Sequence, residues 1–309
     1  DYRARYTTYR TDADLQAAHA SAPWVVTTDD HEVDNDYAGQ ISEDRASPET
    51  FLLRRAAAYQ AYYEFMPLRR SSMPAGPDMQ LYRRLSFGDL VEMNVLDTRQ
   101  YRSVQPCGES GNRPTCAAHV SDQQPILGQE QRRWLFDGLS ASEARWNVIA
   151  QQVMLARLRR IDDDGADTWS MDKWDGYPAE RQALLDLVGD ERTANPVVLT
   201  GDIHSNWVTD LKRDFEQESS EIVATEFVGT SLSSGGNGRA MTDGGQRSMT
   251  NNPHVRFYNG QRGYVTATVT PRLWTTEYRI VPNVTQPGGG VETAATFVVE
   301  DGRAGAQEA

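Results

Sequence analysis

Two short stretches place a histidine two residues after an aspartate, each time at the end of an apolar, β-prone run. PVVLTGDIHSNW (196–207) closes on Asp202 and His204, and PWVVTTDDHEVDNDY (23–37) closes on Asp29, Asp30 and His31. Turn chemistry accounts for Gly201 but calls for neither pair. The chain holds five histidines, so the same setting occurring twice is its main clue. In extended backbone residues i and i+2 project to one side. Asp202 with His204, and Asp29 with His31, would then each offer a carboxylate oxygen and an imidazole nitrogen to one ion, with Ile203 turned into the core and Asp30 the other way. Such donors suit iron, zinc, manganese or calcium. An ion so held polarises a phosphoryl oxygen and lowers the pKa of a bound water, which is the chemistry of metal-assisted hydrolysis. The bland alternatives are a surface or core histidine and an aspartate that only shapes a turn.

Three further charged stretches carry less information. Arg99, in VLDTRQYR, is either a salt-bridge partner of Asp97 or a ligand for phosphate oxygens. Trp174-Asp175, in DKWDGYPAER, reads equally as a rigid loop anchored by its aromatic. DDDGAD (162–167) reads as a solvated loop, since it lacks the spacing and terminal Glu of an EF-hand.

The elements that must position these residues follow from periodicity and punctuation. Residues 1–22 have apolar positions at helical spacing and stop at Pro23, after which Trp24–Thr28 reads as a strand. Residues 48–66 suggest an amphipathic helix with Phe51, Leu52, Ala56, Tyr59, Tyr63 and Phe65 on its apolar side. Residues 80–87 and 90–97 make a hairpin at Gly88-Asp89. A helix beginning at Gly128, a buried strand from Trp146, a helix from Pro178 to Gly189 and the strand at Pro196 come next. Then follow IVATEFVGTSL, the Gly-rich SSGGNG, and the alternating pair RGYVTATVTP and LWTTEYRIV; residues 301–309 read as a frayed tail. Helices alternating with strands, then a run of strands, predict a layered α/β architecture, and in such sheets ligands sit beyond the carboxyl ends of the strands.

The chain has 309 residues, enough for one large α/β domain. Lys and Arg number 31 against 44 Asp and Glu, a net charge of −13, and no long basic run offers a footprint for a nucleic-acid backbone. An anionic substrate would need bound cations to reverse the local field. No window approaches the roughly 20 apolar residues of a membrane helix. The opening DYRARYTTYR lacks the apolar core of a signal peptide and reads as the middle of a helical region, so further chain is expected before it. Cys107 and Cys116 lie in a loop rich in Gly, Pro and Asn. They are expected as a disulfide closing that loop, with two free thiols as the alternative, and a disulfide favours an oxidising compartment, hence secretion or the periplasm.

DDHEVDNDYAG, VLDTRQYR, VIAQQVMLA, DKWDGYPAER, LTGDIHSNW and EFVGTSLSSGG occur in that order and resemble the C-terminal two-thirds of PhoD-type alkaline phosphatases, the phosphodiesterase branch of the metallophosphoesterases. The resemblance runs from about residue 1 to residue 285. It implies an αββα sandwich lacking its N-terminal portion, with residues 1–300 as the phosphatase domain, secretion by the twin-arginine route, and a centre of iron (Fe3+) with calcium (Ca2+). The substrates would be small phosphodiesters and phosphomonoesters, cleaved at alkaline pH in phosphate scavenging. By resemblance Asp202, His204 and Asp30 would bind metal, with Asn35 and Asp29 as further ligand candidates, and His31 would contact or protonate the leaving group. The family's first ligands, a cysteine and a Gly-Asp-x-x-Tyr segment, would precede residue 1. The competing class is a non-catalytic module that binds a cation or phosphate.

Overall fold

The opening residues form helices α1 (Tyr2–Arg10) and α2 (Ala13–Ser21), the latter capped by the Asp12 carboxylate, which accepts from the Leu15 amide. Ser47 caps α3 (Pro48–Phe65), whose proline occupies the first turn, where its missing N–H costs no helical bond. A computed structural model describes residues 2–108, 110–121, 123–190 and 193–309. Strands β1 (Arg83–Phe87) and β2 (Val91–Val95) form the expected hairpin, and β3 (Asn112–Arg113) lies within the loop closed by the Cys107–Cys116 disulfide. Next come α4 (Gly128–Ala141), β4 (Trp146–Ala150), β5 (Arg160–Ile161), β6 (Asp167–Ser170) and α5 (Pro178–Val188), whose end the Gly189 amide closes on the Leu185 carbonyl. Strands β7 (Pro196–Thr200), β8 (Asn206–Lys212) and β9 (Ile222–Val228) precede α6 (Asp243–Asn251). Strands β10 (Val255–Asn259), β11 (Gly263–Val269), β12 (Leu273–Ile280), β13 (Glu292–Glu300) and β14 (Arg303–Glu308) complete the chain.

The main sheet has seven strands in the order β1-β2-β4-β7-β9-β8-β10, in which β2, β4, β7 and β9 run parallel. Adjacent residues of these strands serve opposite faces, as the period of two requires. Val148 and Val197 join Trp146, Val208 and Phe227 against Trp274, Tyr278, Phe297 and Val299 of a second, four-stranded antiparallel sheet, β11 to β14. Their neighbours Ile149 and Val198 pack instead with Leu135 and Leu139 of α4 and Leu184 and Leu185 of α5. The fold is mixed α/β, with one core between the two sheets and a second between the main sheet and helices α4 and α5. A third core joins α3 to Val33, Tyr37, Met79 and Leu81.

Three expectations change, and one strand is added. Trp24–Thr28 is not a strand: side chains meet its polar groups, with Arg83 donating to the Val26 carbonyl and Gln152 to the Thr27 hydroxyl. The buried face of α3 is Phe51, Arg55, Ala58, Tyr59, Ala61 and Tyr62, because Arg55 is drawn inward by the Gly39 and Pro77 carbonyls and Asp78. The tail after Asp301 is strand β14, paired with β13, with Ala306 in the shared core of the two sheets. Small polar residues suggest fraying, yet small residues are what fits against the larger sheet, where Gly305 lies beside Ile222 and Asp210. Residues 206–212 form β8, which carries the chain on from the GDIH turn. DDDGAD remains an exposed turn, joining β5 to β6, in which Asp162 accepts from the Asp164 and Ala166 amides.

Candidate active site

The carboxyl ends of the parallel strands gather at one edge of the main sheet. After β2 the buried Asp97 carboxylate accepts from the Arg99 and Gln100 amides, and the Asp97 amide donates to Gln131. Burial, only partly offset by these bonds, pushes the Asp97 carboxyl up. This tight turn drives Arg99 inward, where it is fully buried. Its Nε donates to Asp29 at 2.7 Å and its Nη1 to Asp172 at 2.9 Å. Its Nη2 lies 3.9 Å from Asp30 and 3.7 Å from Asp202, and has no hydrogen-bond partner among the described residues.

Two residues from DKWDG complete the cluster. Asp172 accepts from Arg99, Arg102 and Gln105, and Lys173 pairs with Asp202. Burial works against the Asp172 charge, but Arg102, Arg99 and Lys173 outweigh it and hold the carboxyl well below the usual range. Asp30 is likewise buried, yet Arg99 and the Asp36 amide leave its carboxyl low. Burial pulls the Lys173 ammonium down despite the Asp172 charge beside it. Arg99 is therefore not the side-chain partner of Asp97 but the hub of Asp29, Asp30, Asp172 and Asp202. Trp174 is buried and anchors the loop through its indole N–H to Gln151, as the aromatic-anchor reading expects.

The i, i+2 geometry does not hold at either strand end. Asp202 and His204 both adopt positive φ, +67° and +54°, so residues 201–205 turn rather than extend. Asp202 faces Lys173 and Arg99, while His204 lines an open cavity on the other side of the loop. Ile203 does pack against the core. At the first stretch a turn begins at Asp30, whose carbonyl accepts from the Val33 and Asp34 amides. Asp29 and Asp30 both reach Arg99, and His31 stands at the rim, its side chain 73% exposed and 3.9 Å from Asp30. Asn35 donates to Glu43 and is not drawn into the cluster.

Among the described residues no group of three or more His, Cys, Asp or Glu is placed to hold a metal ion. Donor type fits iron or calcium, since Asp29, Asp30 and Asp202 offer hard carboxylate oxygens. Arrangement does not: these carboxylates are engaged by Arg99 and Lys173, and His204 is turned away. The residues present do not compose the iron and calcium centre on their own.

A family model of PhoD-like phosphatases matches residues 1–278. The chain belongs to the PhoD-like phosphatase family. Within that family it is 51% identical over 308 residues to alkaline phosphatase D of Bacillus subtilis (strain 168), a match covering 99% of this chain and 52% of the relative. A solved structure of PhoD superposes with a TM-score of 0.95 at 50% identity, over 99% of this chain and 58% of that one. The chain thus spans about half the length of the curated PhoD-like relative. Asp172, Lys173, Arg102 and Gln105 were missed as site residues in the sequence; the one available signal was an Asp-Lys pair just before a buried tryptophan and a glycine.

Proposed function

We propose that this chain contributes to the active centre of an enzyme that hydrolyses phosphodiesters and phosphomonoesters, in the service of phosphate scavenging. The supporting observation is the Arg99 guanidinium, buried at the carboxyl edge of the parallel strands with its Nη2 group unmatched between Asp30 and Asp202. Asp29 and Asp172 fix the other two corners of the fork, so Nη2 is a preorganised donor for a phosphoryl oxygen. Lys173 holds Asp202 at the opposite side of that position. In this reading His31, at the exposed rim, gives the leaving oxygen its proton. Asp29, Asp30, Asp202, His204 and Asn35 remain the ligand candidates for iron and calcium by resemblance; such ions would add the positive charge an anionic ester needs. No step is assigned to them. The disulfide and the family together support an oxidising, extracytoplasmic setting.

The test is hydrolysis of bis(p-nitrophenyl) phosphate by the intact protein and its Arg99→Lys variant. Lysine keeps the charge but loses the fork, so kcat/KM should fall by about 100-fold or more. Wild-type turnover by the variant would remove Arg99 from the site. No turnover by the unaltered, metal-replete protein would favour a cation- or phosphate-binding module.

A further inference from the structure

Helices α4 and α5 pack together, and with residues 123–125 they wall a cavity of about 780 Å³ that the phosphoester reading does not use. That size falls within the roughly 300–1,000 Å³ of small-molecule sites. One wall is Glu180, in the first turn of α5, buried with 7% of its surface exposed. Its Oε2 accepts from the Ile126 amide at 2.5 Å and the Leu127 amide at 3.2 Å, so the carboxylate caps the start of α4 from the neighbouring helix. Its Oε1 has no hydrogen-bond partner among the described residues, and neither has Oε1 of Gln124, which lines the same cavity. Buried acceptors without a donor are costly and uncommon in folded proteins.

The other lining groups narrow the ligand. Arg132 Nε stands 3.8 Å from Glu180 Oε1, too far for a hydrogen bond. A hydroxyl between them would donate to the carboxylate and accept from the guanidinium, replacing one unmade contact with two bonds of about 2.8 Å. The Arg132 guanidinium is steadied over the Phe136 ring, 4.6 Å from its centroid. Burial pushes the Glu180 carboxyl up against the pull of the two amides, so its charged form lacks one further donor. Arg133 and Asp137, a turn apart on α4, are exposed and have no ion-pair partner among the described residues. Two arginines against Glu180 and Asp137 leave the walls without net charge, which disfavours an ion as ligand. Pro125, Phe136 and Ala179 add apolar surface. Donors, acceptors and an apolar face in one neutral cavity match a sugar ring, whose hydroxyls each donate and accept and whose C–H face is apolar.

We propose that the cavity between α4 and α5 binds a neutral pyranose unit of a glycan, with one ring hydroxyl bridging Glu180 Oε1 and Arg132 Nε and a second donating to Gln124 Oε1. Arg133 and Asp137 meet the remaining hydroxyls, and Pro125, Phe136 and Ala179 take the C–H face. The site lies on the helical side of the main sheet, where α4 and α5 cover Ile149 and Val198, and none of its lining residues belongs to the Arg99 cluster. A glycan is therefore held without occupying the phosphoester site, and the inference stands apart from hydrolysis.

The experiment is saturation-transfer NMR on the intact protein, titrated with the methyl pyranosides of glucose, galactose, mannose and N-acetylglucosamine, and with glycerol for comparison. Saturable binding of at least one pyranoside is expected, with glycerol weaker by about tenfold or more, since glycerol offers hydroxyls without a ring face. Ala179→Trp fills the cavity from an exposed position and should abolish binding. Arg132→Ala and Glu180→Gln should each weaken it about tenfold; in the latter an amide N–H replaces the acceptor at Oε1 while the remaining oxygen still caps α4. Thermal denaturation accompanies each titration, and if Glu180→Gln does not fold, Arg132→Ala and Ala179→Trp, both at exposed positions, decide. Three outcomes each overturn the proposal: no binding of any of the four pyranosides, glycerol bound as tightly as the best of them, or binding unchanged in Arg132→Ala and Ala179→Trp.

Discussion

The carboxylate of Asp172 accepts from Arg99, Arg102 and Gln105 at once, while buried where an unpaired charge is costly. Asp172→Asn would leave two buried guanidiniums short of a counter-charge. Breaking a buried pair from one side costs roughly 3–5 kcal/mol, and this loss is expected at neutral pH in denaturant unfolding. The folded carboxyl lies below its unfolded value of about 4, so its contribution is complete above that pH and fades as pH falls towards the folded value. The stability gap between the unaltered protein and the variant should therefore narrow on acidification below about pH 4. A gap that stays constant would show that the site uses the shape of Asp172 and not its charge. Raised carboxyls such as Asp97 and Glu226 act in the opposite sense, and the difference between the two proteins cancels them.

Among the elements, the loop from Met171 to Tyr177 does most to position the cluster, because it delivers Asp172 and Lys173 together. Its geometry depends on a close approach within the loop: a Cβ on Gly176 would lie 2.2 Å from the Met171 carbonyl oxygen. The Trp174 amide donates to the Met154 carbonyl at 3.3 Å, and its indole N–H to Gln151 at 3.1 Å, so the loop cannot yield on its inner side. Gly176→Ala must displace Met171 and its successors. A cost of about 1–3 kcal/mol is expected from overpacking. Phosphodiesterase kcat/KM should fall with it as Lys173 parts from Asp202. Thermal denaturation and steady-state kinetics on the same preparation check this; lost stability with intact kcat/KM would separate the loop from the site.

At the scale of the molecule the two sheets share one core, and the chain returns to close it. Strand β14 lies on the outer edge of the four-stranded sheet, yet Ala306 reaches that core and its amide donates to Asp210 of β8 at 3.2 Å. Removal of residues 302–309 would expose Phe297 and Val299 at a new sheet edge and leave the buried Asp210 without this donor. A fall in Tm of at least about 5 °C is expected, on a scale of roughly 2–4 °C per kcal/mol for domains approaching this size. An unchanged Tm would mean that β14 adds nothing to the core it touches.

The sequence by itself determined the β2 hairpin, helices α4 and α5, the strand before GDIH and the Cys107–Cys116 pairing. Each is written in short-range chemistry: Gly88-Asp89 for a turn, Pro178 and Gly189 at the ends of a helix, two cysteines in one loop. Six ordered motifs also carried the family. Other features depended on tertiary structure. The β-prone Trp24–Thr28 found side-chain partners in place of a strand, and the small residues of β14 found a sheet to complete. Asp202 and His204, two residues apart, were sent to opposite sides of one loop by positive φ at both. Arg99 met Asp29 from 70 residues away and Asp172 from 73 residues away. Local pattern reports what a residue prefers beside its neighbours in the chain, whereas the partner of a buried charge is chosen by which loops the sheet brings to one edge.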